Sequence, residues 1–223
     1  MKVLLSWSSG KDAAYSLHRL HQKPGLEVVG LLTTINAAAD RVAMHAVRRR
    51  LLERQAEAVG VPLFVAPLPF PCSNADYEAA MTKALAEARG LGVEAVAFGD
   101  LFLEDVRSYR EQQMQATGMG TLFPLWGEPT AGLASEMIDA GTRAFLTCVD
   151  PRVLDPAFAG RAFDRRLLAE LPAGVDPCGE RGEFHTFAWD GPAFRWPVPV
   201  AVGETVTRDG FVFTDLVAAA APR

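Results

Sequence analysis

Cysteine is scarce in this chain and odd in number: Cys72, Cys148 and Cys178 are the only three among 223 residues. They are too far apart for a Cys-x-x-Cys clip and cannot all pair, so neither a disulfide framework nor a cysteine-held metal is expected. Reduced thiols in the cytoplasm are the simplest reading. Long apolar runs are also lacking. Val3-Leu4-Leu5 reaches only Trp7 before polar residues interrupt it, which is too short for a secretory signal. The most apolar stretch, Val61 to Pro71, carries four prolines and cannot form a spanning helix, so no membrane partner is expected. Positive charge is short as well. Lys and Arg number 22 against 27 Asp and Glu, a net charge of -5, which argues against a broad phosphate-backbone footprint and against a nucleic-acid partner. The only compact basic run, Arg48-Arg49-Arg50, sits among Leu51, Leu52 and Glu53 and reads as a solvated helix face rather than a nucleic-acid contact.

What is present has the ordinary globular balance, 49% apolar and 22% charged, on a chain long enough for one core or a core plus a small lobe. Val3 to Trp7 reads as a buried strand, followed by a Ser/Gly loop and a helix from about Asp12 to His21. Val28 to Thr34 is a second strand, Met44 to Val59 a helix closed by Gly60, and Val61 to Ala66 a third strand. A helix over Asp76 to Arg89, a strand over Ala95 to Phe98 ending in Gly99-Asp100, and a helix over Glu104 to Ala116 continue the alternation. Leu122 to Trp126 and Ala144 to Val149 read as a fifth and a sixth strand, with a helix over Ala131 to Ala140 between them. Alternation of this kind implies an α/β fold, an open and mostly parallel sheet with helices on both faces over residues 1–150. Its ligand rim would gather the first loop, Thr33-Thr34, Gly99-Asp100 and the segment near Asp150. Residues 151–223 change pattern: a helix near Phe163 to Leu171, a Gly/Glu-rich segment from Asp176 to Thr186, and short β runs around Val198 to Val202 and Phe211 to Phe213. A small C-terminal α+β lobe packed on the first part is expected.

Ser8-Ser9-Gly10-Lys11-Asp12 lies between a strand and a helix start. Backbone N–H groups and the positive end of the helix dipole converge there on the place an anion would occupy, and serine hydroxyls and the Lys11 ammonium add donors. The plain alternative is a helix cap, with Ser9 or Asp12 satisfying the first turn and no ligand present. Neither Gly-x-x-x-x-Gly-Lys-Ser nor Gly-x-Gly-x-x-Gly occurs. Asp100 follows a strand and precedes Glu104, Asp105, Arg107 and Arg110. Paired guanidinium forks suit carboxylates and phosphates, whereas a capped helix with Glu/Arg pairs on its surface is the bland reading. Glu180, Glu183, His185 and Thr186, between Gly179 and Gly182 and beside Phe184, Phe187 and Trp189, concentrate polar groups in apolar surroundings. Two glutamates and a histidine could hold a metal, but their spacing matches no helical or clip-like set, and substrate binding is the preferred role.

The first loop resembles the Ser-Gly-Gly-Lys-Asp-Ser pyrophosphate loop of the PP-loop ATP pyrophosphatases, with Ser9 at the first glycine and Ala13 at the final serine. Three further segments resemble the diphthine-ammonia ligase family within that superfamily: Gly99-Asp100-Leu101 with Glu104, Asp105, Arg107, Tyr109, Arg110 and Glu111; Pro124-Leu125-Trp126; and Gly179 to Thr186, similar to the signature Glu-Gly-Gly-Glu-Phe/Tyr-x-Thr with Arg181 at its first glycine. The four motifs fall in family order across residues 3–186. His45 similarly resembles a Met-x-His segment of the family.

The resemblance implies an ATP-dependent carboxylate–ammonia ligase that forms AMP. ATP and Mg²⁺ are its expected cofactors, bound through Ser6, Ser8, Ser9, Gly10, Lys11, Asp12, Thr33, Thr34 and Gly99, with Asp12 toward the metal. Lys11, Asp12 and Asp100 are the expected catalytic residues, and Arg107, Arg110, Glu180, Glu183, His185 and Thr186 the expected substrate contacts. The partners are a small-molecule or protein-borne carboxylate and free ammonia, since no segment reads as a glutaminase; a homodimer is compatible. The family's reaction amidates diphthine on elongation factor 2. Heavy Ala and Arg usage points to a GC-rich genome, and in a bacterium, which lacks diphthamide, a small carboxylic acid would be the acceptor. Two rivals make different demands. A PP-loop tRNA-modifying enzyme calls for a Cys-x-x-Cys pair or a basic extension. A non-catalytic ATP sensor resembling universal stress proteins leaves the clusters at Asp100 and Glu180 to Thr186 without a purpose.

Overall fold

A computed structural model describes residues 1–42 and 47–219; His45 lies outside them. The first sheet is built from β1 (Lys2–Ser6), β2 (Glu27–Asn36), β3 (Arg41–Val42), β4 (Leu63–Leu68), β5 (Ala95–Ala97) and β6 (Gly120–Leu122). β1 pairs in parallel with β2 on one side and β5 on the other, β2 continues to β4, and β5 to β6. Only the two-residue β3 runs antiparallel, on the last residues of β2 past the point where β1 stops. The chain leaves β1 toward β2 and later returns to its other side with β5. The carboxyl ends of β1 and β5 therefore flank a crevice where the winding reverses, the place where open α/β sheets bind ligands.

Helices α1 (Lys11–His21), α2 (Arg49–Val59), α3 (Asn74–Gly90), α4 (Glu104–Thr117) and α5 (Thr130–Asp139) connect and cover the strands. α1 buries Ala13, Ala14, Leu17 and Leu20 at helical spacing. α3 opens with a capping box in which Ser73 and Asp76 satisfy each other's backbone N–H groups. The expected helix start at Met44 lies outside the described residues; within them α2 starts at Arg49, because Arg48 is still in an extended bridge to Arg41. That bridge is anchored from far away: Arg41 and Arg48 both ion-pair with Asp215 near the end of the chain. The basic run is thus divided, Arg48 tied to Asp215 and Arg49 to Glu53 one turn on.

Two strand expectations are corrected. The fifth strand is Gly120–Leu122 and not Leu122 to Trp126; Pro124 has no N–H for a ladder, and the chain turns there instead. The sixth expected strand, β7 (Arg143–Val149), does not join the parallel sheet. It pairs antiparallel with β8 (Phe184–Asp190) and β10 (Phe211–Ala218), and β9 (Val200–Arg208) completes a second sheet in the order β8-β7-β10-β9. In terms of sheets, the change from one part to the other therefore falls before Arg143 rather than at 150. A short α6 (Arg165–Glu170) lies between β7 and β8. Among the described residues no helix is long and apolar enough to cross a membrane.

One continuous core joins the sheets, running from Val3, Leu5 and Trp7 through α1 and α2 to Leu146, Phe184 and Phe187. A smaller core, with Leu32, Leu85, Val96, Phe98 and Met114, fills the face under α3 and α4. The junction between β1 and β8 is polar and buried. The Gln55 amide donates to the carbonyls of Ser9 and Ala188 and accepts from the Trp7 indole at 3.0 Å, while the Ala188 N–H also donates to Ser9 O at 2.9 Å. Replacing Gln55 with Leu keeps the volume but removes every one of the amide's bonds at a site without solvent. The Gln55→Leu variant is expected to lose about 2 to 3 kcal/mol, measured by urea unfolding.

Candidate active site

β1 delivers the chain into the loop at Ser8, and α1 begins at Lys11 with Gly10 as a cap that offers no side chain. Ser9, completely buried, adopts φ +72°, the left-handed region in which glycine is at ease and other residues are strained. Its hydroxyl has no hydrogen-bond partner among the described residues. The loop amides are partly occupied from within: Gly10 N–H donates to Ser8 Oγ at 3.3 Å and Lys11 N–H to Thr186 Oγ1 of β8 at 3.1 Å. Gly99 closes on the other side of the crevice. A β-carbon there would sit 3.2 Å from the backbone nitrogen of Ala13, so the end of β5 presses on the first turn of α1 because the residue is glycine.

Lys11 is 1% exposed. Its ammonium donates to both Asp12 oxygens, at 3.0 and 2.9 Å, and to the carbonyl of Cys178 at 2.5 Å, with the rings of Phe163 and Phe184 within 5.2 and 5.5 Å. Burial works against its charge, but Asp12 and more distant acidic groups outweigh it and hold the pKa above the ordinary lysine value. Asp12, a quarter exposed at its side chain, faces the crevice. Asp100 stands 3.6 Å from Arg110 and its carboxyl is raised by burial, with Asp12 adding to the rise and Arg110 opposing it. Glu180 accepts from the Leu101 N–H at 2.7 Å, and burial, helped by Asp12 and Asp100, lifts it to about 7. His185 is pushed down to about 4 by burial and by Lys11, which leaves it neutral across the physiological range.

These groups surround a cavity of about 520 Å³. Of the expected site residues, Ser6, Ser8, Lys11, Asp12, Thr33, Thr34, Gly99, Asp100, Arg110, Glu180, His185 and Thr186 all line it, together with an apolar wall that includes Leu32, Met81, Val96 and Phe98. Four do not. Ser9 and Gly10 lie behind the cavity surface and act through backbone. Arg107 is turned away, stacked over Phe123 and Trp126 and paired with Glu111, where it fastens the Pro124-Leu125-Trp126 segment to α4. Glu183 is buried and accepts from the N–H groups of Asp176 and Arg181, so it shapes the loop that presents Glu180. Asp150, expected on the rim, is away from the cavity and pairs with Arg152. Thr33 borders the cavity, but its hydroxyl is spent on the Trp7 carbonyl at 2.6 Å.

Two contributors were not singled out in advance. Asp176 accepts from Cys178 N–H, Glu180 N–H and the Thr130 hydroxyl, and so sets the position of the Cys178 carbonyl that holds Lys11. Gln55 fixes the loop to β8. Asp176 carries a local signal, an aspartate two residues before Cys178 in a Gly/Pro-rich turn; a glutamine inside a helix pattern carries none. Among the described residues no cluster of three or more His, Cys, Asp or Glu could hold a metal by itself. Asp12 suits the pattern in which Mg²⁺ takes one or two carboxylates and completes its shell with phosphate oxygens and water.

Residues 1–121 match the family model described as the diphthamide synthase N-terminal domain, and residues 129–215 match the diphthamide synthase C-terminal domain. The chain is similar to the diphthine–ammonia ligase of Bos taurus, 27% identical over 241 residues that cover 96% of this chain and 88% of the relative. It is likewise similar to that of Danio rerio, 27% over 236 residues covering 96% and 91%, and to that of Homo sapiens, 26% over 241 residues covering 96% and 88%.

Two substitutions test the geometry. Ser9→Gly relieves the left-handed strain and removes an unpaired hydroxyl, and should stabilise the fold by about 1 kcal/mol, a rise of about 2 to 4 °C in Tm by differential scanning fluorimetry. Glu180 holds its proton to a higher pH in the folded chain than its usual carboxyl value of 4.5. Between pH 4.5 and about 7 the folded state thus binds more protons than the unfolded one, and this group's contribution falls as pH rises through that window. Glu180→Gln, which keeps an acceptor for Leu101 N–H, should therefore gain on the parent protein in urea midpoint between pH 5 and pH 8.

Proposed function

The chain belongs to the diphthamide synthase family, and from that premise we propose that it is an ATP-dependent ligase that joins ammonia to a carboxylate, with AMP and pyrophosphate as the other products. One observation carries the proposal: an uncapped helix start with Lys11 and Asp12 opens onto the same cavity as Asp100, Glu180, His185 and Thr186, residues of three separate motifs. ATP fits a chamber that is apolar on one side and lined with donors and carboxylates on the other. Its base takes the wall of Leu32, Phe98 and Met81 beside Thr34, and its phosphates take the start of α1. Residues 1–142 supply this nucleotide half. The part that follows supplies Glu180 to Thr186 on the acceptor side.

The acceptor's carboxylate oxygen bonds to the α-phosphorus, the bond from that phosphorus to the bridging oxygen breaks, and pyrophosphate leaves with the electron pair. Phosphate oxygens draw Lys11 from Asp12, so the ammonium and the α1 dipole meet the charge that builds on the leaving group. Asp12, released from Lys11, would hold Mg²⁺, which when bound would neutralise phosphate charge. Ammonia then bonds to the acyl carbon, the carbon–oxygen bond to AMP breaks, and the nitrogen sheds one proton. Glu180, poised near 7, is the carboxylate able to take that proton at neutral pH. The relatives are named for diphthine; here the acceptor is a carboxylate, either on elongation factor 2 or on a small acid, in the cytoplasm.

The test incubates the protein with Mg-ATP, ammonium and either diphthine-bearing elongation factor 2 or a panel of small carboxylic acids, and assays AMP and pyrophosphate. AMP formed only when both acceptor and ammonium are present is the expected result; ADP as product would sink the mechanism, and tight ATP binding without turnover would favour a sensor. Lys11→Met should lower kcat for AMP formation by about 10²- to 10³-fold.

A further inference from the structure

The cavity does not end at the phosphate loop. Between α3 and α4 a second hollow of about 120 Å³ adjoins it, and Tyr77, Met81, Leu85, Phe98, Arg110 and Met114 border both. The base of ATP takes the inner faces of Met81 and Phe98, and the outer part of the seam has no role in the reaction. It stays unsealed because the two helices bury little: Leu85 and Ala88 on α3 and Met114 on α4. Its throat is apolar, and its outer part carries Thr82, Tyr109, Gln113 and Thr117. The phenol of Tyr109, raised by burial and then by Tyr77, is uncharged at neutral pH.

The inner end holds an unresolved polar pair. Asp100 Oδ2 and Arg110 Nε form an ion pair at 3.6 Å, with the guanidinium over the Phe98 ring, but they stand too far apart to hydrogen-bond, and both atoms are buried without a hydrogen-bond partner among the described residues. An unmet buried acceptor facing an unmet buried donor selects its ligand by charge. An anion suits Arg110 but is repelled by Asp100; a cation suits Asp100 but is repelled by Arg110. A small neutral molecule that both accepts and donates satisfies the pair. Ammonia, with one lone pair and three N–H groups, is such a molecule, and it crosses an apolar throat that would strip the hydration from ammonium at high cost.

We propose that the seam between α3 and α4 admits the nitrogen nucleophile as neutral ammonia and that Asp100 and Arg110 form its holding point beside the reaction cavity. This rests on the ligase reading above. It also sets Arg110 apart from capture of the acceptor carboxylate. Ammonium leaves its extra proton in the solvent outside the seam, and ammonia moving off Arg110 frees its lone pair for the acyl carbon.

Two reactions of the full chain separate this idea from the reading beneath it. Acceptor-dependent exchange of labelled pyrophosphate into ATP needs no ammonia and reports the first half-reaction; amide formation against ammonium concentration reports the second. Thr82→Trp and Gln113→Trp, one on each helix and both at the outer end of the seam, are expected to raise KM for ammonium about tenfold or more and to leave exchange within about twofold. Lys83→Trp, on α3 but outside the seam, should change neither. An unchanged KM for ammonium in both tryptophan variants overturns the proposal. So does a parallel fall in exchange, which would make the seam part of the acceptor site. If the parent protein shows no acceptor-dependent exchange and no AMP, it is the ligase reading that falls, and the inlet with it.

Discussion

The carbonyl of Ser9 is the fixed point of this molecule. It accepts from the Ala188 backbone and the Gln55 side chain at once, and Gln55 in turn holds Trp7 and the Ala188 carbonyl. A loop from the first strand, a helix from the middle of the first sheet and a strand of the second are thereby joined in a place with no water to substitute for a lost partner. That grip accounts for the left-handed Ser9: its carbonyl must point at β8, and a backbone that turns it there puts a residue with a β-carbon where glycine would be at ease. The conformation follows from docking, and the cavity follows from the conformation.

Charge around the cavity is arranged as a set of exchangeable partners. Lys11 is held by Asp12 and the Cys178 carbonyl, so the buried ammonium is fully satisfied from within the protein. Asp176 keeps the Cys178 carbonyl in place and Glu183 keeps Asp176 in place, so residues outside the cavity set the direction of the lysine. At the rim burial lifts Asp100 and Glu180, and Asp12 adds to the rise of both, as Asp100 does to that of Glu180. A polyanion can enter such a rim only if the carboxylates gain cations or protons as it does, which the chamber's single lysine, its arginine and the raised Glu180 make feasible.

Much of this was legible in the chain itself, and what was hidden has a common cause. The strand, loop and helix at Val3 to His21 are a local pattern, and so are Gly99-Asp100 and Gly179 to Thr186; each was found from neighbours in sequence and each reaches the cavity. β7 read correctly as a strand but not as a member of the second sheet, because periodicity reports that a strand is buried and not which strands pair with it. A helical pattern running through Arg48 is broken there because Asp215, 167 residues away, holds that residue in extended form. Arg107 and Glu183 looked like ligand contacts because their residue types suit ligands. Aromatic faces from Phe123 and Trp126, and backbone N–H groups in a turn, claimed them instead.

The bonds that finish the loop after β1 also impose an order in time. Lys11 is tied to Thr186 across 175 positions and Gln55 to Ala188 across 133, so the first loop is completed by a strand made long after it. A nascent chain can fold its parallel strands early, yet its first loop keeps open carbonyls and amides until β8 arrives. Closing such distant contacts is slow relative to local ones. The crevice at the end of β1 is therefore finished only when the second sheet docks on the first, so the shape of the cavity reports that both parts of the chain have folded.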